Sequence, residues 1–108
     1  GMDYSYFQFT SDALREQGLK IVIAYVHTTC SLEVWLSGVN RKTQASVFAR
    51  LQETGTDYEQ TPDPNRFDYI LKEKILPARG FSGGDELFDE LHANVSRFLE
   101  NVTRLCTK

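Results

Sequence analysis

Apolar residues alternate through Leu19, Ile21, Ile23 and Tyr25, then through Leu32, Val34 and Leu36, and near the C-terminus they recur every three or four positions. Period two marks a strand with one buried face, and a three-and-four spacing marks a helix with one buried stripe. The two alternating runs, Leu19 to His27 and Cys30 to Ser37, are separated by Thr28-Thr29 and read as an antiparallel hairpin. A two-residue connection sets Tyr25 opposite Leu32, Ile23 opposite Val34 and Ile21 opposite Leu36, all on one face. A slip of one residue would scatter them across both faces, so the hydrophobic match supports this register. The opposite face then carries Lys20, Val22, Ala24, Val26, Ser31, Glu33, Trp35 and Ser37. That mixture is too apolar for a sheet face in water, and three covers are open to it: the rest of the chain, a second copy, or a ligand or partner.

Around the hairpin, the aromatic run Tyr4 to Phe9 suits a short strand, and Thr10-Ser11-Asp12 can cap a turn of helix over Ala13 to Gln17 that Gly18 closes. After Gly38, Asn40 is a capping residue followed by helix formers, and Val47, Phe48 and Leu51 give the stripe of a helix from Arg41 to Glu53. Thr54 to Arg66 reads as a loop. Phe67 to Leu76 alternates in part and is expected as a fourth strand, with a short helix as the competing reading. A Pro- and Gly-containing connection over Pro77 to Gly84 leads to the strongest helix, Asp85 to about Cys106. Its stripe is Phe88, Leu91, Val95, Phe98, Val102 and Leu105, widened by Leu87 and Leu99. The expected fold is a single α+β domain over residues 1–108 in two layers, an antiparallel sheet of about four strands with the Arg41 and Asp85 helices on one face.

Composition narrows the function classes. The 108 residues are 41% hydrophobic and 25% charged, as in an ordinary folded domain. A net charge of -3 supplies no basic field for a phosphate backbone and argues against nucleic acid. The longest apolar run, Ile21 to Val26, is far short of a membrane span. Cys30 and Cys106 have no metal or redox spacing and read as free thiols of a reducing compartment. Gly1 reads as a tag remnant before the native Met2, and no leader pattern follows it. The expected location is the cytoplasm.

Candidate chemistry gathers beyond the hairpin. Glu33 and Trp35 project from the second face next to Ser37, where an acid beside a large ring could line a shallow pocket or form a cross-strand pair. Glu33-Val34-Trp35 lacks the lysine that the acidic strand motif of metal-dependent nucleases needs. Asn40, Arg41 and Lys42 at a helix start could hold a phosphate or carboxylate, or act as a cap and two solvated bases. No glycine-rich phosphate loop is present. His27 and Cys30 flank the hairpin turn and formally allow a thiolate-imidazole pair, although a hairpin tip offers little enclosure. No metal site and no cofactor are expected. Asn94-Val95-Ser96 and Asn101-Val102-Thr103 match the glycosylation pattern inside a helix and read as chance.

The runs Met2-Asp3-Tyr4-Ser5-Tyr6-Phe7, Leu19-Lys20-Ile21-Val22-Ile23 and Leu32-Glu33-Val34-Trp35-Leu36-Ser37-Gly38-Val39-Asn40-Arg41 resemble an uncharacterised bacterial family, DUF7000, over nearly the whole chain. The resemblance implies no activity, cofactor or catalytic residue. It does imply a helical segment upstream of the first strand, which this sequence lacks. If that segment normally covers Val22, Ala24, Val26 and Trp35, the face is open here and should pair with a second copy or a separate polypeptide. Two function classes follow. The leading one is a non-catalytic interaction or small-ligand domain working through the Trp35 face. The alternative is an enzyme or nucleic-acid accessory module using Glu33, Asn40, Arg41 and Lys42.

Overall fold

The computed structural model describes residues 3–75 and 84–107. The element order is β1 (Tyr4–Phe9), α1 (Asp12–Glu16), β2 (Leu19–Val26), β3 (Ser31–Gly38), α2 (Arg41–Thr54), β4 (Glu59–Gln60), β5 (Leu71–Ile75) and α3 (Gly84–Cys106). The strands form one five-stranded sheet in the order β1-β2-β3-β5-β4, antiparallel at every step. This is the α+β architecture expected, with one more strand.

The β2–β3 ladder sets Ile21 opposite Leu36, Ile23 opposite Val34 and Tyr25 opposite Leu32, the register that the alternation demanded. The strands stop at Val26 and Ser31, so the turn is His27 to Cys30 rather than Thr28-Thr29 alone. Cys30 takes a left-handed φ of 51° there, a conformation the tight connection requires although the residue is not glycine.

The main core lies between the sheet and the helices. Ile21, Ile23, Val34, Leu36, Leu71 and Ile75 from the strands meet Leu14 of α1, Val47 and Leu51 of α2, and Phe98, Val102 and Cys106 of α3. Leu91, Val95, Leu99 and Leu105 pack at its margin, and Phe88 stays exposed near the start of α3. Both main helices therefore lie on one face, as their stripes require.

The stretch expected as a strand from Phe67 divides in two. Only Leu71–Ile75 joins the sheet, and Leu76 lies outside the described residues. Tyr69 falls on the second face while Ile70 and Leu71 both enter the main core, so the chain crosses the sheet plane at this point. Two consecutive core residues are incompatible with strand alternation, which is why pairing begins only at Leu71.

Two glycines are fixed by geometry. Gly18 has φ +72°, the left-handed closure after α1. A Cβ on Gly38 would lie 2.7 Å from the backbone nitrogen and 2.8 Å from the Cα of Gln44, so only glycine lets β3 run this close to the start of α2.

Candidate functional site

The second sheet face carries a smaller core of its own. Val22, Ala24, Trp35 and Tyr69 are buried there, with Tyr4 and Phe67 packed against them. Trp35 is 1% exposed, its ring 4.9 Å from Tyr4 at a steep angle and 5.5 Å from Tyr69. The cover is the segment leading into β5, together with Tyr4 of β1. The expectation of an open Val22/Trp35 face is corrected on this point, because the chain closes the face itself and neither side chain presents a docking surface.

Glu33 is likewise a structural residue and not a rim group. It is 6% exposed, its Oε1 accepts from Trp35 Nε1 at 2.9 Å and from Lys72 Nζ at 3.2 Å, and Lys72 lies 5.0 Å from the centre of the Tyr69 ring. Burying a carboxylate and an indole N–H costs energy unless each is satisfied, and here each satisfies the other. Ser37, also buried, donates to the carbonyl of Asp68 at 2.6 Å.

Asn40 is the N-cap of α2, its Oδ1 accepting from Thr43 N at 2.8 Å. Arg41 reaches back over the second face: it donates to the carbonyls of Pro64 and Phe67 and forms a 2.6 Å ion pair with Asp68 Oδ1. Gln44 doubles this clamp, donating to Pro64 O at 2.9 Å and Phe67 O at 2.7 Å while its Oε1 accepts from Gly38 N at 3.1 Å. The second Asp68 oxygen accepts from Tyr4 Oη at 2.8 Å. Burial, and then this bond, push the Tyr4 hydroxyl up to about 12. Lys42 is exposed and takes no part.

Beside the clamp lies a cleft of about 160 Å³. Tyr4, Tyr6 and Gln8 of β1 form one wall, Val22 and Trp35 border it from the sheet, and Gly38, Asn40, Arg41, Gln44 and Asp68 close the end. Lys20 of β2 also lines it, and among the described residues its ammonium has no hydrogen bond or ion pair. Of the six residues singled out from the sequence, Trp35, Asn40 and Arg41 thus meet at one cleft, Glu33 and Ser37 support its surroundings, and Lys42 stands apart. Tyr4, Tyr6, Gln8, Lys20 and Asp68 were missed. The alternation that placed Lys20 beside Val22 on the second face was the signal that could have found it.

The model of the family described as Domain of unknown function (DUF7000) matches residues 1–106. The chain belongs to this family. No curated protein and no solved structure matches it.

Elsewhere in this DUF7000 domain the formal alternatives lose their geometry. His27 Nε2 bonds Ser5 Oγ at 2.8 Å, and the Cys30 thiol meets the His27 carbonyl rather than its ring, so no thiolate-imidazole pair forms. His92 stacks on Phe88 along α3. The Asn94 and Asn101 amides donate to Glu90 O and Tyr58 Oη, each at 2.8 Å. Among the described residues no group of acidic, His and Cys side chains could hold a metal ion, and no helix is long and apolar enough to cross a membrane.

A wider groove of about 1280 Å³ lies between the ends of α2 and α3, lined among others by Arg50, Tyr58, Glu73, Asn101 and Arg104. One carboxylate oxygen of Glu73 is buried there without a hydrogen-bond partner among the described residues.

Proposed function

We propose that this DUF7000 domain is a non-catalytic small-ligand-binding module, and that the β1–α2 cleft takes a small anion such as the carboxylate or phosphate end of a metabolite. The observation that carries this reading is Lys20, a half-buried residue lining a concave site, whose ammonium has no partner among the described residues. A cation placed in this way gains most from an anionic guest. The site holds two cations, Lys20 and Arg41, against the single carboxylate of Asp68, which is already bonded to both Arg41 and Tyr4. The start of α2 adds a favourable dipole at the same end. A volume of about 160 Å³ suits a headgroup of a few heavy atoms, well below the roughly 300 Å³ at which drug-sized pockets begin. The domain's two free thiols, Cys30 exposed and Cys106 buried with its ionisation disfavoured by burial, agree with a reducing, cytoplasmic setting.

Trp35 borders the cleft and is the chain's single tryptophan, so its emission reports occupancy. Titration with acetate and with inorganic phosphate should shift that emission saturably for at least one of them, and Lys20→Met should weaken the response at least tenfold without changing the melt. Equal responses in wild type and variant would remove the proposal.

The larger groove supports a second reading, favoured by Glu73. Its unpartnered buried oxygen needs a donor, and the Arg50 guanidinium nearby makes no hydrogen bond or ion pair to a described residue. Such a pair suits a zwitterion, with an ammonium on Glu73 and a carboxylate on Arg50. Free α-amino acids titrated against amides of this groove, followed by NMR, test it. Loss of binding in both Glu73→Gln and Arg50→Gln is expected, whereas simple carboxylic acids binding as well as amino acids would reject it.

A further inference from the structure

We infer that two copies of this chain pair antiparallel through the edge of β1 that no described strand covers, extending the sheet across a two-fold axis at Tyr6. His27 N donates to Asp3 O at 3.1 Å, and the β1–β2 register continues this pattern with Ser5 opposite Tyr25, Phe7 opposite Ile23 and Phe9 opposite Ile21. In an antiparallel ladder alternate residues turn their N–H and C=O to the same neighbour. Ser5, Phe7 and Phe9 therefore bond to β2, and the backbone groups of Tyr4, Tyr6 and Gln8 point to the open side.

The two edges of the sheet are built differently. β4, at the far edge, is two residues long and begins with the exposed carboxylate of Glu59, a short charged end of the kind that discourages pairing. β1 has six residues in unbroken register, with no proline, no bulge and no charge from Tyr4 to Phe9. Tyr6 and Phe7 are each 58% exposed, one on either face of the strand. An uncharged, aromatic-rich edge of six residues is a template for another strand.

The occupant is argued from the strand's own symmetry and charge. The open backbone groups sit at Tyr4, Tyr6 and Gln8, evenly about Tyr6, so a two-fold there sets Tyr4 opposite Gln8 and Tyr6 opposite Tyr6 with every open N–H and C=O matched. The same register places Ser5 opposite Phe7 on the other face, a small residue against a large ring. The whole chain carries -3, and β1 bears none of that charge, so two copies meet along it without like charges facing each other in the strands. Side chains opposite each other in a sheet share a face, so Tyr6 of the second copy stands beside Tyr6 at the mouth of the Lys20 cleft.

Sedimentation velocity from low to high micromolar concentration tests this. Wild type should move from monomer to dimer, and Tyr6→Pro should stay monomeric with an unchanged melt, since the N–H it removes is unbonded within one copy. In a Cys30→Ser background, Tyr6→Cys should form a disulfide-linked dimer under mild oxidation, and Phe7→Cys, which has no symmetric counterpart opposite it, should do so at least tenfold more slowly. If Tyr6→Pro fails to fold, this cross-linking contrast decides. A wild type that stays monomeric throughout, a Tyr6→Pro dimer, or equal cross-linking of the two cysteine variants would overturn the inference. Lys20→Met leaves this pairing intact, so the dimer and the anion site fail separately.

Discussion

Glu33 and Trp35 show how burial turns candidate chemistry into architecture. On an exposed face an acid beside a tryptophan is a binding feature; here Glu33 Oε1 is shared between the indole N–H and Lys72, and Trp35 and Lys72 both meet the Tyr69 ring. Trp35→Ala should cost about 3–5 kcal/mol in denaturant unfolding, the range of large-to-small core changes, whereas a surface tryptophan would cost less than about 0.5 kcal/mol. Glu33→Gln keeps an acceptor for Trp35 but leaves the Lys72 ammonium with only its longer, exposed pair to Glu59 at 3.8 Å. It should cost about 1–3 kcal/mol, and a double-mutant cycle with Lys72→Met should show the two changes to be less than additive. Alternation placed both residues on the second face correctly. What alternation does not carry is the identity of the cover, because Phe67 and Tyr69 belong to a segment whose partial alternation imitates a strand. The local sign of the truth is Ile70-Leu71, two adjacent large apolar residues that cannot both face the same way in a regular strand.

At the scale of elements, the decisive contact is that of β3 with the start of α2. Asn40 was legible as a cap and Gly38 as a break, but the clamp is a tertiary fact: Arg41 and Gln44 hold carbonyls 20 to 26 residues further along the chain. The helix dipole disfavours the basic first turn of α2, and Asp68 matches the charge of its Arg41. Gly38→Ala would drive a methyl group into the Gln44 backbone and so push the helix start away from the sheet. A loss of about 1–3 kcal/mol is expected, with faster amide hydrogen exchange at Thr61 and Ile70, whose N–H groups bond within or beside the clamped segment. Unchanged exchange there would mean that the clamp does not depend on this approach. The two-residue β4 was invisible in the sequence because no periodicity can be read from Glu59 and Gln60 alone.

For the whole molecule, burial on the second face of the sheet ties stability to pH at the alkaline end. Tyr4 is raised from 10.0 to about 12 by burial and its bond to Asp68, and Tyr69 is raised by burial. An acid raised on folding contributes stability that is complete below its unfolded value and lost as pH climbs toward the folded one. Chemical unfolding should therefore show constant tyrosine-dependent stability up to about pH 10 and a decline between pH 10 and about 12, smaller in Tyr4→Phe. No decline specific to wild type would show that the Tyr4–Asp68 bond is absent in solution.

The Arg41–Gln44 clamp has a kinetic consequence. The helix layer rests on side chains from α1, α2, α3 and the strands, whereas the aromatic layer is held down chiefly by one helical turn gripping one loop. Releasing that grip would let water reach Trp35 while the main core stayed shut. The protein would then breathe from one side only, opening its second face far more often than it unfolds.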